Sequence, residues 1–136
     1  MGFIRMAAAI AIALAATAPV LGQSGGTSVE QKLSAAIPNI PGKSILAVVV
    51  DYPPGVRNPP HRHAASAFVT AYVLEGAVRS QVDDGPVKVY RAGEYFTENP
   101  GAHHRISENA SKTEPAKMLA IFVLDTGDNP LSTPDK

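Results

Sequence analysis

The 136-residue sequence contains no cysteine and no tryptophan, and its 12 Lys and Arg residues balance 12 Asp and Glu residues. Without cysteine the chain cannot form disulfides, thiolate zinc sites or iron–sulfur clusters, and it has no cysteine nucleophile. The balanced charge and the lack of a Lys or Arg cluster argue against a nucleic-acid partner, because phosphate binding requires a basic surface. The length allows one domain and is too short for two.

One apolar run stands apart at the N-terminus, where residues 6–18 are apolar except for Thr17 and follow the basic Arg5. This run is shorter than the roughly 20 residues that span a bilayer. A basic start, a short apolar run and small residues at its end are typical of a secretory signal. We expect cleavage of residues 1–22, which leaves Gln23 at the start of a secreted or periplasmic chain without a membrane span. An uncleaved anchor helix is the alternative.

The rest of the chain divides into a flexible leader (23–42), one domain (43–126) and a loose C-terminal tail (127–136). Within the domain, short β-branched or alternating segments are separated by Gly, Pro and Asp turns, which predicts seven or eight strands and no long helix. The clearest segments are 44–51, 68–74, 77–82, 87–90 and 118–125. The pattern predicts an all-β fold, an antiparallel barrel or a double-sheet sandwich. Residues 29–37 remain open as an edge segment or a single helical turn.

The large apolar residues of these segments are expected to form the barrel core. They are Phe68, Tyr72, Val73, Leu74, Phe96, Leu119, Ile121 and Val123. In a small barrel the core and a ligand pocket overlap. We therefore expect Phe68, Tyr72, Tyr95 and His103 to line a pocket, and the last three are the nearest candidates for a general base.

All four histidines of the chain lie in two pairs, His61 with His63 and His103 with His104. Residues i and i+2 of a strand share a face, so His61 and His63 can point at one site, whereas only one of the adjacent pair can join them. Three imidazoles suit a divalent Fe, Zn, Mn, Ni or Cu ion and leave coordination positions open. The alternative is that these are ordinary surface or capping histidines.

The surroundings of both pairs resemble the two motifs of small single-domain cupins. The matching residues are Gly55, His61, His63 and Gly76 for the first motif, and Gly93, Gly101 and His104 for the second. The resemblance extends over residues 43–125. It implies an antiparallel cupin barrel (a double-stranded β-helix, or jelly roll) whose metal ligands are His61, His63 and His104, and it selects His104 over His103.

One position departs from the cupin pattern. The first motif normally includes a metal-binding Glu between His63 and Gly76, but Val69 occupies that position and segment 64–71 holds no carboxylate. Cupins with three histidine ligands occur among thiol dioxygenases, so the loss does not exclude a metal. Glu98 and Gln81 are candidates for an additional ligand, although the simpler interpretation of Glu98 is a solvated turn residue.

The resemblance implies a metal-dependent enzyme acting on a small organic molecule, as a dioxygenase or other oxidoreductase, an isomerase or a lyase. The first alternative is an exported cupin that binds a small molecule or metal without turnover, because fold does not determine function. A barrel with no site at all is the second. Since short cupins expose sheet edges that are usually covered, we also predict a homodimer, in which strand residues from Ser44 onward pair with or pack on the partner.

Overall fold

The computed structural model describes residues 26–136, which form eleven strands and no helix. The strands are β1 (Ser28–Ala36), β2 (Lys43–Tyr52), β3 (Arg57–Asn58), β4 (His61–His63), β5 (Phe68–Glu75), β6 (Ala77–Val82), β7 (Lys88–Arg91), β8 (Tyr95–Glu98), β9 (His103–Asn109), β10 (Ala116–Asp125) and β11 (Ser132–Pro134). The predicted signal segment and the cleavage before Gln23 lie outside the described residues. Across the described part of the chain, no helix has the length and apolar character needed to cross a bilayer.

The strands form two antiparallel sheets that enclose one core. The first sheet has the order β1-β2-β10-β5-β8, and the second has the order β11-β4-β9-β6-β7 with β3 paired to β9. Most neighbours in each sheet are distant in sequence, which is the connectivity of a jelly roll rather than of a meander. The predicted all-β antiparallel barrel is thus confirmed.

A glycine allows the chain to cross from the first sheet to the second between β5 and β6. Gly76 has φ +68°, and a Cβ at this position would lie 2.3 Å from the carbonyl oxygen of Pro115. No other residue accommodates both the left-handed backbone and this close approach. The strand that follows this turn, β6, pairs with β9 in the second sheet.

The face of β5 that packs in the core is not the one predicted from its large residues. Val69, Ala71 and Val73 are buried, while Phe68, Tyr72 and Leu74 are about 40 % exposed on the outer face. On β10 the buried residues are Met118, Ala120, Phe122 and Leu124, and the predicted Leu119, Ile121 and Val123 are only half-buried on its outer side. Of the eight predicted core residues, Val73 and Phe96 are buried. The small inward residues of β5 leave room for a cavity.

Both segments that flank the predicted domain contain ordered strands. Residues 28–36 of the predicted leader form β1, which pairs along most of its length with β2. Residues 132–134 of the predicted tail form β11, which pairs with the histidine strand β4. The carboxylate of Asp128 also accepts hydrogen bonds from the backbone N–H (3.0 Å) and hydroxyl (2.6 Å) of Ser66, which lower the pKa of Asp128. The tail is therefore a fixed strap across the barrel.

Candidate metal centre

Pairing of β4 with β9 brings the two histidine motifs together inside the barrel. His61 lies directly opposite His104 in the register, and His63 shares the inward face of β4 with His61. His61 and His104 are buried, and His63 is half-buried. One ring nitrogen from each residue lies within 4.8 Å of the others. Ligands of one ion at about 2.1 Å lie about 3.0 Å apart when adjacent in octahedral geometry and about 4.2 Å apart when opposite, so the three nitrogens surround a space somewhat wider than one ion and would move inward to share it.

Backbone carbonyls determine which nitrogen of His61 and His63 is free to bind. Nδ1 of His61 lies 2.9 Å from the Pro59 oxygen, and Nδ1 of His63 lies 3.2 Å from the Leu131 oxygen. A carbonyl only accepts, so each Nδ1 donates its hydrogen and each Nε2 keeps a lone pair. Burial lowers the pKa of His61 to about 4, so this ring is neutral at neutral pH. Neutral, oriented imidazoles are the form that a metal requires.

Glu98 completes the cluster, which corrects its interpretation as a solvated turn residue. It ends β8 with its side chain inward and is 2 % exposed. Its Oε1 lies 2.9 Å from Nδ1 of His104, and its Oε2 lies 3.2 Å from Nε2 of His63. Burial alone would raise the pKa of Glu98, but the hydrogen bond with His104 holds that pKa well below its usual range. The carboxylate is therefore ionised inside the barrel.

When His63 is neutral, its contact with Glu98 contains no hydrogen bond. Oε2 of Glu98 is a buried side-chain atom without a hydrogen-bond partner among the described residues. It faces Nε2 of His63, whose hydrogen is committed on the other side of the ring to Leu131. Two lone pairs at this distance repel, and a proton or a metal cation between them removes the repulsion. Adjacent ligands of one ion at about 2.1 Å are about 3.0 Å apart in octahedral geometry, so both Glu98 contacts suit shared coordination.

The cluster lies on one wall of a cavity of about 360 Å³. The other walls are mostly apolar side chains from β2, β5 and β10 and from the C-terminal strap, namely Val48, Val50, Val69, Ala71, Met118, Ala120, Phe122, Pro130 and Leu131. The remaining polar lining includes Tyr52, Ser107 and Asn58, and in residues 26–136 no Lys or Arg contributes to it. Burial, opposed by the hydrogen bond to Ser107, raises the pKa of Tyr52 to about 12. Tyr52 is thus a neutral hydroxyl in this cavity.

The structure places the other ligand candidate, Gln81, away from the cluster. The Gln81 amide donates to the carbonyl of Gly85 at 3.0 Å, within its own hairpin. Its neighbour Ser80 is the residue that points inward, and the Ser80 hydroxyl lies 2.8 Å from Nε2 of His104. Ser80 therefore orients His104 while Nδ1 of that ring faces Glu98. Ser80 was not among the residues predicted from the sequence, although the alternation of β6 indicates its inward position.

None of the four predicted pocket residues lines the cavity. Phe68, Tyr72 and Tyr95 lie on the outer face of the first sheet, and Tyr95 is 61 % exposed. His103 points to the opposite side of β9 from His104, and its Nε2 lies 2.8 Å from the Asp135 carboxylate at the end of the strap. The pocket and general-base roles suggested for these residues are corrected accordingly. Tyr52, Ser107 and the strap take the place of these residues in the cavity wall.

Glu98 lies on the strand next to the one that carries the motif position, which is Val69 in this chain. In the β5–β8 ladder, Val69 pairs directly with Glu98. Cβ atoms of such a pair are about 5 Å apart on the same face of the sheet. Glu98 thus reaches from the neighbouring strand into the space that a Glu at position 69 would occupy. This relation depends on register, which a single strand's sequence does not contain.

Comparison with known proteins establishes the family. Residues 48–122 match the cupin domain, so the chain belongs to the cupin family. The fold described above is the fold of that family, and the three histidines lie within the matched residues.

Individual relatives give a narrower indication. The chain is 30 % identical over 83 residues to the cupin-domain-containing oxidoreductase fogC of Aspergillus ruber, a match that covers 61 % of this chain and 39 % of that protein. It superposes on an oxalate oxidase in complex with glycolate with a TM-score of 0.62 and 25 % identity, covering 87 % of this chain and 59 % of the other. A Klebsiella pneumoniae protein with a double-stranded β-helix domain gives 0.60 at 21 % identity, covering 87 % and 90 %. The chain spans well under half the length of the Aspergillus relative.

Proposed function

We propose that the protein is a metal-dependent cupin oxidoreductase that acts on a small organic molecule, with its metal held by His61, His63, His104 and Glu98. The observation that carries this proposal is the buried carboxylate of Glu98, whose Oε2 has no hydrogen-bond partner among the described residues and faces Nε2 of His63 at 3.2 Å. A divalent cation at this point would offset the buried negative charge, which no Lys or Arg of the described chain does within the cavity.

The side chains around the four ligands have separable roles. The carbonyls of Pro59 and Leu131 fix the rings of His61 and His63, and Ser80 fixes His104. Such outer contacts typically contribute about ten- to a hundredfold in metal affinity. Glu98 contributes the negative charge that the histidines lack. When bound, a divalent metal polarises a substrate oxygen and, if it is redox-active, supplies an electron-transfer centre.

Two similarities support oxidation chemistry as the reaction class. The Aspergillus relative is described as an oxidoreductase, and the oxalate oxidase is related at 25 % identity and was solved with a small oxygenated ligand. We infer an oxidase or dioxygenase reaction at the open coordination positions beside the cavity. Without turnover, the same site would serve an exported cupin that only binds a metal or a small molecule.

Metal content of purified variants tests the centre. We expect about one divalent ion per chain in the wild type and a marked fall in metal affinity in His61→Ala, His63→Ala and His104→Ala, because each change removes one of the four ligands. His103→Ala is the matched control, since His103 lies next to His104 but faces Asp135 outside the cavity. Retention of metal in His104→Ala together with its loss in His103→Ala would reverse the assignment.

A comparison with substrate then separates the enzyme from the binding protein. Oxygen consumption by the metal-loaded protein with candidate organic substrates, measured beside His61→Ala, reports oxidation directly. A loaded protein that binds such compounds and consumes no oxygen would support the non-catalytic alternative. Failure of the wild type to retain any divalent ion would refute the metal centre.

A homodimer remains part of the proposal, with its contact surface revised. β2 is hydrogen-bonded to β1 on one edge and β10 on the other, so residues from Ser44 onward cannot pair with a partner's strand. The outer face of the same sheet exposes Leu33, Phe68, Tyr72 and Leu74. Association through this apolar face would remove it from water, in keeping with the rarity of large exposed apolar patches on monomers. Export after cleavage before Gln23 is likewise proposed.

A further inference from the structure

The C-terminal strap, residues 127–136, forms a thin part of the cavity wall. Four strap residues line the cavity, namely Pro130, Leu131, Ser132 and Pro134. Among these four, only Leu131 is half-buried, and the other three are exposed to solvent. Strand β11 of the strap ends the second sheet and is paired with β4. An edge strand with solvent on its outer side opens locally at a lower free energy than the central strands.

Two fastenings hold the strap closed without contacting the cavity. At its C-terminal end, the N–H of Asp135 donates to the Pro60 carbonyl at 2.9 Å, and the Asp135 carboxylate lies 2.8 Å from Nε2 of His103. Near its start, the Asp128 carboxylate accepts the two hydrogen bonds from Ser66. These five residues are not part of the cavity lining. The fastenings can therefore be weakened without removing a metal ligand.

Between the fastenings, Leu131 connects the strap to the histidine cluster. Its carbonyl oxygen accepts from Nδ1 of His63 (3.2 Å) and from the backbone N–H of Ala64 (3.1 Å), as the two lone pairs of a carbonyl allow. Its side chain packs against the core. One oxygen thus joins the strap both to the β4 backbone and to a ligand ring. When the strap lifts, His63 loses the acceptor that holds its Nε2 toward the cluster.

A cation on Nε2 of His63 would strengthen this same hydrogen bond. Positive charge on the imidazole makes its Nδ1–H a stronger donor, and charge-assisted hydrogen bonds are stronger than neutral ones. The closed strap would in turn hold the ring in the orientation that binds the cation. Linkage requires the two effects to be equal: the factor by which closure raises metal affinity is the factor by which metal favours closure.

We propose, on the basis of the metal centre proposed above, that closure of the C-terminal strap and metal binding are coupled through the Leu131 carbonyl. Leu131 is then a positioning residue that acts on the metal through His63. The strap belongs functionally to the metal centre, although it holds no ligand. Metal-free protein opens its cavity at this wall more often than metal-loaded protein does.

Amide hydrogen exchange of the wild type tests the coupling. The Asp135 amide, bonded to Pro60, becomes free to exchange when the strap lifts. The Gly93 amide is the matched reporter, because it donates to the Val73 carbonyl at the same 2.9 Å but lies at the turn after β7, outside the strap. Saturation with Zn²⁺ should slow exchange at Asp135 about ten- to a hundredfold, the usual contribution of such outer contacts. Exchange at Gly93 should stay within about twofold, because local opening there does not break the His63 contact.

Variants measure the reciprocal effect on zinc affinity. Leu131→Ala/Asp128→Ala removes the packing of the strap and its Ser66 fastening while keeping every ligand. This double variant should bind Zn²⁺ at least about fivefold more weakly, and by no more than the factor measured at Asp135. Leu131→Met keeps the packing and should retain wild-type affinity. Met118→Ala is the matched control, since it removes similar apolar volume from the cavity wall on β10 rather than on the strap.

The outcomes separate this inference from the metal centre itself. A wild type that binds no zinc would refute the metal centre and the coupling together. A wild type that binds zinc with unchanged exchange at Asp135, or with equal slowing at Asp135 and Gly93, would refute the coupling and leave the centre standing. Equal losses of zinc affinity in the double variant and Met118→Ala would show that the strap has no special role. The exchange comparison decides the question even if the double variant does not fold.

Discussion

Replacing Glu98 with glutamine should have opposite effects on the metal-free and the metal-loaded protein. The amide keeps the shape of the carboxylate, and its oxygen can still accept a hydrogen bond from Nδ1 of His104. Its NH₂ group can donate to Nε2 of His63, where Oε2 of Glu98 now faces a lone pair without a hydrogen bond. The variant therefore satisfies the metal-free cluster better than the native residue, while it removes the charge that a metal needs.

The structure gives both effects a rough size. One new hydrogen bond in the metal-free cluster is worth about 1 kcal/mol, which corresponds to a rise of about 4 °C in Tm for a domain of this size. Removal of one member of a buried charge pair costs about 3–5 kcal/mol, so metal affinity should fall between a hundredfold and a few thousandfold. The two signs differ, so a general effect on folding cannot produce both.

Calorimetric melting of the chelator-treated protein and competition titration with Zn²⁺ measure the two quantities. A protonated His63 paired directly with Glu98, with no metal involved, predicts the reverse outcome: Glu98→Gln would lower the Tm of the metal-free protein and leave zinc affinity unchanged. That result would refute the reasoning. Glu94→Gln serves as the control, because this glutamate is exposed and accepts a hydrogen bond from the Arg91 backbone within its own turn.

Three further predictions concern other parts of the chain. Burial, opposed by the Ser107 hydrogen bond, raises the pKa of Tyr52 to about 12. The folded protein therefore favours the neutral form of Tyr52. The stability that this preference contributes below pH 10 should be lost as the pH rises to 12. The loss is up to about 3 kcal/mol, and urea unfolding should show that Tyr52→Phe lacks it and Tyr90→Phe retains it. N-terminal sequencing of exported protein should begin at Gln23, and an intact Met1 on soluble protein would contradict cleavage. Light scattering at micromolar concentration should show a dimer, and Tyr72→Glu on the apolar outer face should shift it toward monomer; a monomeric wild type would count against the interface.

The fold was predictable because turn residues and strand periodicity are local. The segment 77–82 was predicted as a strand and forms β6 with the same bounds, and the segment 68–74 corresponds to β5. The spacing of His61 and His63 likewise follows from the two-residue period of a strand. Strand periodicity alone does not predict that they meet His104, because the pairing of distant strands cannot be inferred from one strand. The cupin resemblance predicted that meeting.

The faces of two strands were predicted wrongly because size was taken as a measure of burial. Phe68, Tyr72 and Leu74 are larger than Val69, Ala71 and Val73, yet the smaller residues face inward. A barrel that encloses a cavity needs small side chains on part of its inner wall, and large apolar residues then remain on the outside. The prediction of a loose tail was wrong for a related reason: its polar, proline-containing sequence gives no sign of the strap that pairs with β4.

The role of the Glu98 carboxylate on β8 follows from the pairing of β8 with β5, which the sequence alone does not give. This pairing suggests an experiment in which the residues at positions 69 and 98 are exchanged. Val69 and Glu98 face the same cavity from adjacent strands, so Val69→Glu/Glu98→Val moves the carboxylate to the position where the cupin motif carries it. We expect Glu98→Val alone to lose metal by about as much as Glu98→Gln. The exchanged double variant should recover at least about tenfold of that loss, because the charge returns to the same cluster at similar volume. Val69→Glu alone should be destabilised when metal-free, since it buries two carboxylates together. The measurement is zinc affinity across the four proteins of this cycle. Simple additivity of the two single changes would mean that positions 69 and 98 do not share one ion.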